Sequence, residues 1–392
     1  MPLGSTATLI AIVSAFWFLL TFPVATKYTG RAGWIIMAAG EIFVVALMSL
    51  IPRARANGTD IPRWTLPVLW LALVAAYLVI YPHTQNLGPG RGTDREDALR
   101  VQIIALQHHL DPYAARTFLG QRPTPLPGAI ALAWPFYLLG RISLQNILWS
   151  GLFCLVLRKV FRLRLTAVVF LAVVVCLNLE PLNDFVTGSD YVVNALYVMM
   201  AVWLVVRAVD RDSPMLQPLL ASLVFGVAVS SRPSYFMAVP PVLAMVAQRR
   251  GARTGLLATG AFLVGFFLTI APVFWPHPVT GLFAELNEIS HRKAQFLPTW
   301  FPIEGVSVLA GVATLSAFFV RLNEFRVYLT IAIATAVLIG IPMWFEIVAA
   351  LRQGQPFPVE SVYLFAPILF FALWAFHRLE QVYPADEAPA IH

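Results

Sequence analysis

Apolar residues do not alternate with polar ones along this chain. They come in long runs with polar breaks between them. The runs lie near 8–26, 33–51, 66–82, 142–157, 165–179, 191–207, 215–230, 235–247, 255–275, 303–320, 327–349 and 361–377. A helix needs about 20 apolar residues to cross the hydrocarbon layer, so the pattern predicts about twelve transmembrane helices. A further apolar stretch, 127–140, contains Pro135. Proline cannot donate to the helical ladder and clashes with the preceding turn. This stretch therefore reads as a re-entrant or interfacial helix. The first run lacks a positive cluster before it and a small-residue cleavage site, so it reads as a retained helix. No segment is long and polar enough for a separate soluble domain, which leaves one transmembrane domain over 1–392.

Composition places the chain in lipid. Of its 392 residues 59% are hydrophobic and 12% charged, and the mean hydropathy is +0.75. A soluble domain carries about 25% charged residues, so too little charge is present here to wet a globule of this size. This excludes a soluble enzyme, a disordered chain and, despite a net charge of +7, a nucleic-acid binder. The positive charge instead reads as topology. One set of alternate loops collects Arg53, Arg55 and Arg63, then Arg158 to Arg164, Arg207 and Arg211, Arg249 to Arg253, Arg321 and Arg326, and Arg378. With that set inside, the connections 83–141, 180–190 and 276–302 face outward from a cytoplasmic (inner) membrane. Cys154 and Cys176 sit in apolar runs and read as small core residues.

The outward connections hold the unusual chemistry. In 83–141, Thr93-Asp94-Arg95-Glu96-Asp97 follows a glycine-rich turn, and Thr93 with Glu96 has the spacing of a capping box. A helix is expected from there to about Leu110, amphipathic and lying in the membrane interface, with Leu99, Ile103, Leu106 and Leu110 on one face. Acids in a first turn also stabilise a helix through its dipole. Arg91, Arg95, Arg100, Arg116 and Arg122 share the same connection, where the charge rule disfavours them. Guanidinium matches phosphate in a bidentate way, so these arginines suit an anionic head group. Glu180, Asp184 and Asp190 stand among amides and hydroxyls, a mixture suited to sugar hydroxyls and equally to a hydrated loop that caps the next helix. Ser231-Arg232-Pro233 breaks an apolar stretch. An arginine there needs a partner or a wet cavity, and a phosphate would serve. The connection 276–302 holds Glu288 and Arg292 at ion-pair spacing, and His291, a candidate sugar or acceptor contact. Glu41 stands inside the second run and is a functional candidate for that reason. Neither the cysteines nor His108, His109, His277 and His291 have metal-ligand spacing, so no metal or cofactor is expected. No P-loop, G-x-S-x-G or dinucleotide fingerprint occurs.

These features together resemble the GT-C membrane glycosyltransferases, a fold that includes protein mannosyltransferases and the lipid A aminoarabinose transferase. The resemblance rests on the acidic connection 93–97, the segment Thr124-Pro125-Leu126-Pro127-Gly128 after an expected interfacial helix, the basic run Arg158 to Arg164, and Ser231-Arg232-Pro233. It covers about 66–250 by motif and is topological beyond. In those relatives the acidic connection follows the first helix, whereas here it follows the third, and a D-x-D pattern is lacking. The resemblance implies a glycosyltransferase that moves a sugar from a polyprenyl-phosphate donor to a glycan, lipid or protein hydroxyl by inverting single displacement. It implies Asp94 or Asp97 as the base, Arg91, Arg95, Arg100, Arg122 and Arg232 at the donor phosphate, and Glu180, Asp184, Asp190 and His291 at the sugar or acceptor. A transporter or flippase would share the many spans and broken helices, but the acid-rich connection occurs once, which favours an enzyme. A non-catalytic membrane subunit is the third reading.

Overall fold

The computed structural model describes residues 5–84, 93–209, 213–275, 287, 294, 297–298, 300–352 and 361–381, and these are helical with no strand among them. The helices are α1 (Thr6–Thr29), α2 (Gly33–Ala56), α3 (Thr65–Ile80), α4 (Arg95–Gln107), α5 (Pro127–Leu138), α6 (Leu144–Val160), α7 (Arg164–Leu171), α8 (Leu179–Val186), α9 (Tyr191–Ala208), α10 (Leu216–Val229), α11 (Val239–Arg250), α12 (Ala252–Phe274), α13 (Ile303–Leu315), α14 (Glu324–Arg352) and α15 (Phe365–Gln381). Each of the twelve apolar runs falls on helix. Seven described helices are long and apolar enough to cross a membrane, or eight if α7 and α8, bent by 75°, form one broken span. The shortfall from about twelve lies in α6, α10, α11 and α13, which have 17, 14, 12 and 13 residues.

The core sits around α9. Its sequence is apolar on every side, and all its residues but Tyr191, Leu204 and Arg207 are buried, whereas most of α2 and α3 is not. An all-round apolar helix belongs in the middle of a bundle, and α2 and α3 present their apolar side chains outward, as a lipid-facing helix does. α10 and α12 approach backbone to backbone at Gly226 and Gly265. A Cβ at either would collide with the facing carbonyls of Phe262 and Leu223, so small residues permit the close crossing.

Polar contacts assign the connections to two ends. At one end Arg164 meets the Asp60 carboxylate at 3.7 Å and the Ile61 carbonyl at 3.2 Å. Glu380 accepts the Leu163 N–H at 3.0 Å, and Asp60 accepts that of Leu165 at 3.1 Å. These two acids cap the start of α7 from distant parts of the chain. Arg250 donates to the Ser213 carbonyl, and Gln248 ties α11 to the carbonyls of Ala317 and Val320. The basic stretches therefore gather at one end, linked through α6 and α9, which both start at the other. That other end holds 81–84, 93–143, 178–191, 230–238 and 361–364.

Four local expectations are corrected there. The capping box does not form: Asp94 is the N-cap residue of α4 without a capping side chain, and Glu96 is drawn instead to Tyr81 and Ser143. α4 ends at Gln107 rather than Leu110. His109 has φ 57°, and the Leu110 N–H donates to the Ala105 carbonyl at 2.8 Å, a Schellman closure. The apolar face of α4 does not lie open in the interface, because Leu99 and Ile103 pack on Ala129, Ile130 and Ala133 of α5. Pro135 does not interrupt α5. The helix continues through it to Leu138.

Candidate functional site

The N-cap and first turn of α4 carry three acids, held by different neighbours. Asp94 Oδ2 accepts the Thr117 hydroxyl at 2.6 Å. Glu96 accepts the Tyr81 hydroxyl at 2.6 Å and the Ser143 N–H at 3.0 Å, joining α3 to the start of α6. Asp97, 8% exposed, accepts the Phe118 N–H at 2.8 Å on one oxygen and Arg100 at 2.6 Å on the other. Glu96, Asp97 and Arg100 line a cleft of about 450 Å³, together with Tyr81, Phe118 and Arg141. Arg141 follows Gly140, whose φ of 86° turns the chain from α5 toward α6. Its guanidinium lies 5.2 Å from the centroid of the Tyr81 ring, and among the described residues no carboxylate stands within ion-pair distance of it. Thr187 closes one wall. The adjoining Gly188 has φ 79°, and a Cβ there would meet Tyr81, Ser143 and Glu96, so only glycine lets the α8–α9 turn press against these groups.

Behind the cleft lies a buried charge network. Arg95 donates to Asp184 at 3.0 Å and to the Ser189 hydroxyl at 3.4 Å. Arg232 chelates Asp190 with two contacts of 2.7 Å and donates to the Thr124 hydroxyl at 2.9 Å. Both guanidinium groups lie over one ring, that of Tyr191, at 4.0 and 4.3 Å from its centroid. Asp184 also accepts the Val192 N–H at 2.9 Å and so caps α9 in place of Asp190. Burial alone lowers the affinity of Arg232 for its proton. The facing Asp190 carboxylate, and after it Tyr191, more than reverse this, so its pKa stands above the ordinary arginine value. Around this network the Leu126 and Gly128 N–H groups donate to the carbonyls of Ser231 and Ser230, both at 3.0 Å. The Pro-rich and Ser-Arg-Pro segments, far apart in sequence, form one clamp.

No family model matches the chain, and the curated proteins and the solved structures contain no match to it.

The residues expected at the site therefore divide. Asp97 and Arg100 lie in the cleft, and Asp94 stands beside it, bonded to Thr117. Arg95 and Arg232, expected at the donor phosphate, face Asp184 and Asp190 instead. Those two acids, expected at the sugar, are buried at 3% and 0% exposure in the same pairs. Arg232 is engaged through its two terminal nitrogens, while its buried Nε has no hydrogen-bond partner among the described residues; the Arg95 side chain, 18% exposed, faces Asp184. Glu180 is in the first turn of α8, partly buried, and Arg122 is partly buried between α4 and α5. Arg91 and His291 lie outside the described residues, as do Glu288 and Arg292. Glu41 accepts the Ser14 hydroxyl at 2.5 Å between α2 and α1, away from the cleft. Among the described residues no three His, Cys, Asp or Glu side chains are placed to hold a metal ion. The sequence reading passed over Arg141, Tyr81 and Glu96 as site residues. The Gly140-Arg141 turn at the end of an apolar segment was the available signal for the first. Nothing local marks Tyr81.

Proposed function

We propose that the chain is a GT-C-type membrane glycosyltransferase that takes a sugar from a polyprenyl-phosphate donor and passes it to an acceptor hydroxyl outside the cytoplasmic membrane. The observation that carries this reading is the cleft itself. A nearly buried carboxylate, Asp97, stands with the guanidinium groups of Arg100 and Arg141 at the end of the bundle opposite the basic connections. The reading takes the basic end as cytoplasmic by the positive-inside rule. It counts the short helices α6, α10, α11 and α13 among twelve passes.

In this mechanism Asp97 takes the proton from the acceptor hydroxyl as that oxygen attacks the anomeric carbon. Two of its lone-pair positions are engaged by Phe118 and Arg100, which leaves others free to accept. Polyprenyl phosphate departs with the bonding electrons of the old glycosidic linkage, and the anomeric configuration inverts. Phosphate is a competent leaving group without a general acid, so the remaining need is charge stabilisation. Arg141, which has no carboxylate partner among the described residues, replaces Arg95 and Arg232 in this role, with Arg100 beside it. Asp97 is preferred to Asp94 because it lines the cleft.

The test is transfer by the purified protein in liposomes, using radiolabelled polyprenyl-phosphate mannose, glucose and arabinose with a detergent-extracted membrane fraction as acceptor. Transfer is expected from one of these donors. Loss of a general base lowers turnover by about 10²–10⁴-fold, which is the expected effect of Asp97→Asn. Movement of the intact lipid-linked sugar between leaflets, with no glycosidic bond broken, would replace the enzyme by a flippase.

A further inference from the structure

Arg95 sits directly before the two carboxylates of the cleft, yet its side chain points away from them into the buried network. Its guanidinium is gripped on three sides: by Asp184 at 3.0 Å, by Ser189 at 3.4 Å and by the Tyr191 ring, with Tyr363 covering it at 5.6 Å. Asp184 is itself fixed by the Val192 N–H. The elements that hold Arg95 also build the cleft wall, since Thr187 lines it and Gly188 presses on Glu96. The far part of α4 is held separately. Gln102 donates to the Pro125 carbonyl at 3.1 Å, inside the clamp that Arg232 closes through Thr124.

We propose that Arg95 is a positioning residue rather than a phosphate ligand, and that its pairing with Asp184 sets where the first turn of α4 holds Glu96 and Asp97. This rests on the proposed glycosyltransferase reading for its catalytic consequence, but not for its geometric one. The first turn of an isolated helix frays readily, because its N–H groups lack intrahelical partners. Here Asp94 gives α4 no side-chain cap. Thr93 Oγ1 accepts the Arg95 N–H at 3.4 Å, and the Arg95–Asp184 pair anchors the first residue of α4 by its side chain, which fixes the direction in which the next two side chains project. Arg232 and Asp190, stacked on the other guanidinium position over Tyr191, brace the same ring. The two pairs thus act on α4 at its start and, through Thr124 and Pro125, at its middle.

The experiment has two arms on the full-length protein. In the first, Thr93→Cys is placed at the cleft edge with Cys154→Ala and Cys176→Ala, and labelled with a water-soluble maleimide. Asp184→Asn releases Arg95, and local opening is expected to raise the labelling rate by about tenfold or more. Arg95→Gln together with Asp184→Asn leaves no uncompensated buried charge but still lacks the ion pair, so its rate is expected to stay raised; a return to the parent rate would overturn the positioning role. Arg95→Lys keeps the charge without the planar stack and is expected to fall between. An unchanged rate in Asp184→Asn, in protein that elutes as a single species, would overturn the proposal. In the second arm, Asp184→Asn is expected to lower kcat by about 100-fold with KM held within about threefold, as a misplaced reacting group does. A rise in KM with kcat intact would return Arg95 to the donor phosphate. If the parent protein transfers no sugar, the glycosyltransferase reading fails, and the labelling arm still decides the placement of α4.

Discussion

Asp190→Asn tests the buried network most directly. Asp190 and Arg232 have side chains only 1% and 5% exposed, and Arg232 reaches both carboxylate oxygens at 2.7 Å. Asparagine keeps the shape and one acceptor but removes the charge, leaving a guanidinium buried without a counter-ion. Breaking a buried pair from one side costs about 3–5 kcal/mol. Against a total stability of about 5–15 kcal/mol this is a large fraction. The fold contains its own control in Arg164 and Asp60, which are 40% and 28% exposed and 3.7 Å apart. That pair is worth about 0–1 kcal/mol, so Asp60→Asn is expected to change little beyond the cap it gives to Leu165. Reversible unfolding in mixed micelles, followed by far-UV circular dichroism, measures both. Adding Arg232→Met to Asp190→Asn is expected to recover much of the loss, since the orphaned charge is then gone. The raised pKa of Arg232 fixes the sign of any pH effect. A group whose folded pKa lies above its unfolded value contributes fully below the unfolded value and loses that contribution only as pH rises through the folded one. The contribution of Arg232 is therefore flat from about pH 5 to 9. Equal losses for Asp190→Asn and Asp60→Asn would refute the assignment of a buried pair.

Two other outcomes follow from the same geometry. Gly188→Ala is expected to destabilise by more than the ~1–2 kcal/mol of a left-handed alanine, because its Cβ also meets Tyr81, Ser143 and Glu96; a thermal-unfolding midpoint equal to that of the parent would show that the α8–α9 turn does not press on the cleft. Cysteines placed at Thr84 and Thr59, at opposite ends of α3, are expected to react with an impermeant maleimide from opposite sides of sealed cells, Thr84→Cys from outside. Labelling of both from one side would end the reading of α3 as a span.

Much of the architecture was legible in the sequence because lipid simplifies the code. A backbone in hydrocarbon must satisfy its own hydrogen bonds, so every long apolar run becomes helix, and all twelve did. The arginine pattern likewise identified the connections that gather at one end. The acids of 93–97 drew attention to a turn that borders a cleft, and Asp97 and Arg100 line it. Pairing was not legible. Arg95 and Arg232 looked like phosphate ligands because an arginine on that face needs an anion, and the sequence could not tell whether the anion was a substrate or a distant aspartate. Asp184 and Asp190 lie 89 and 42 residues from their partners. Tyr81 and Arg141 reach the cleft only through the packing of α3, α5 and α6. Helix formation is decided over a few consecutive residues, whereas the partner of a buried charge is decided by which helices meet, and that is a property of the whole bundle.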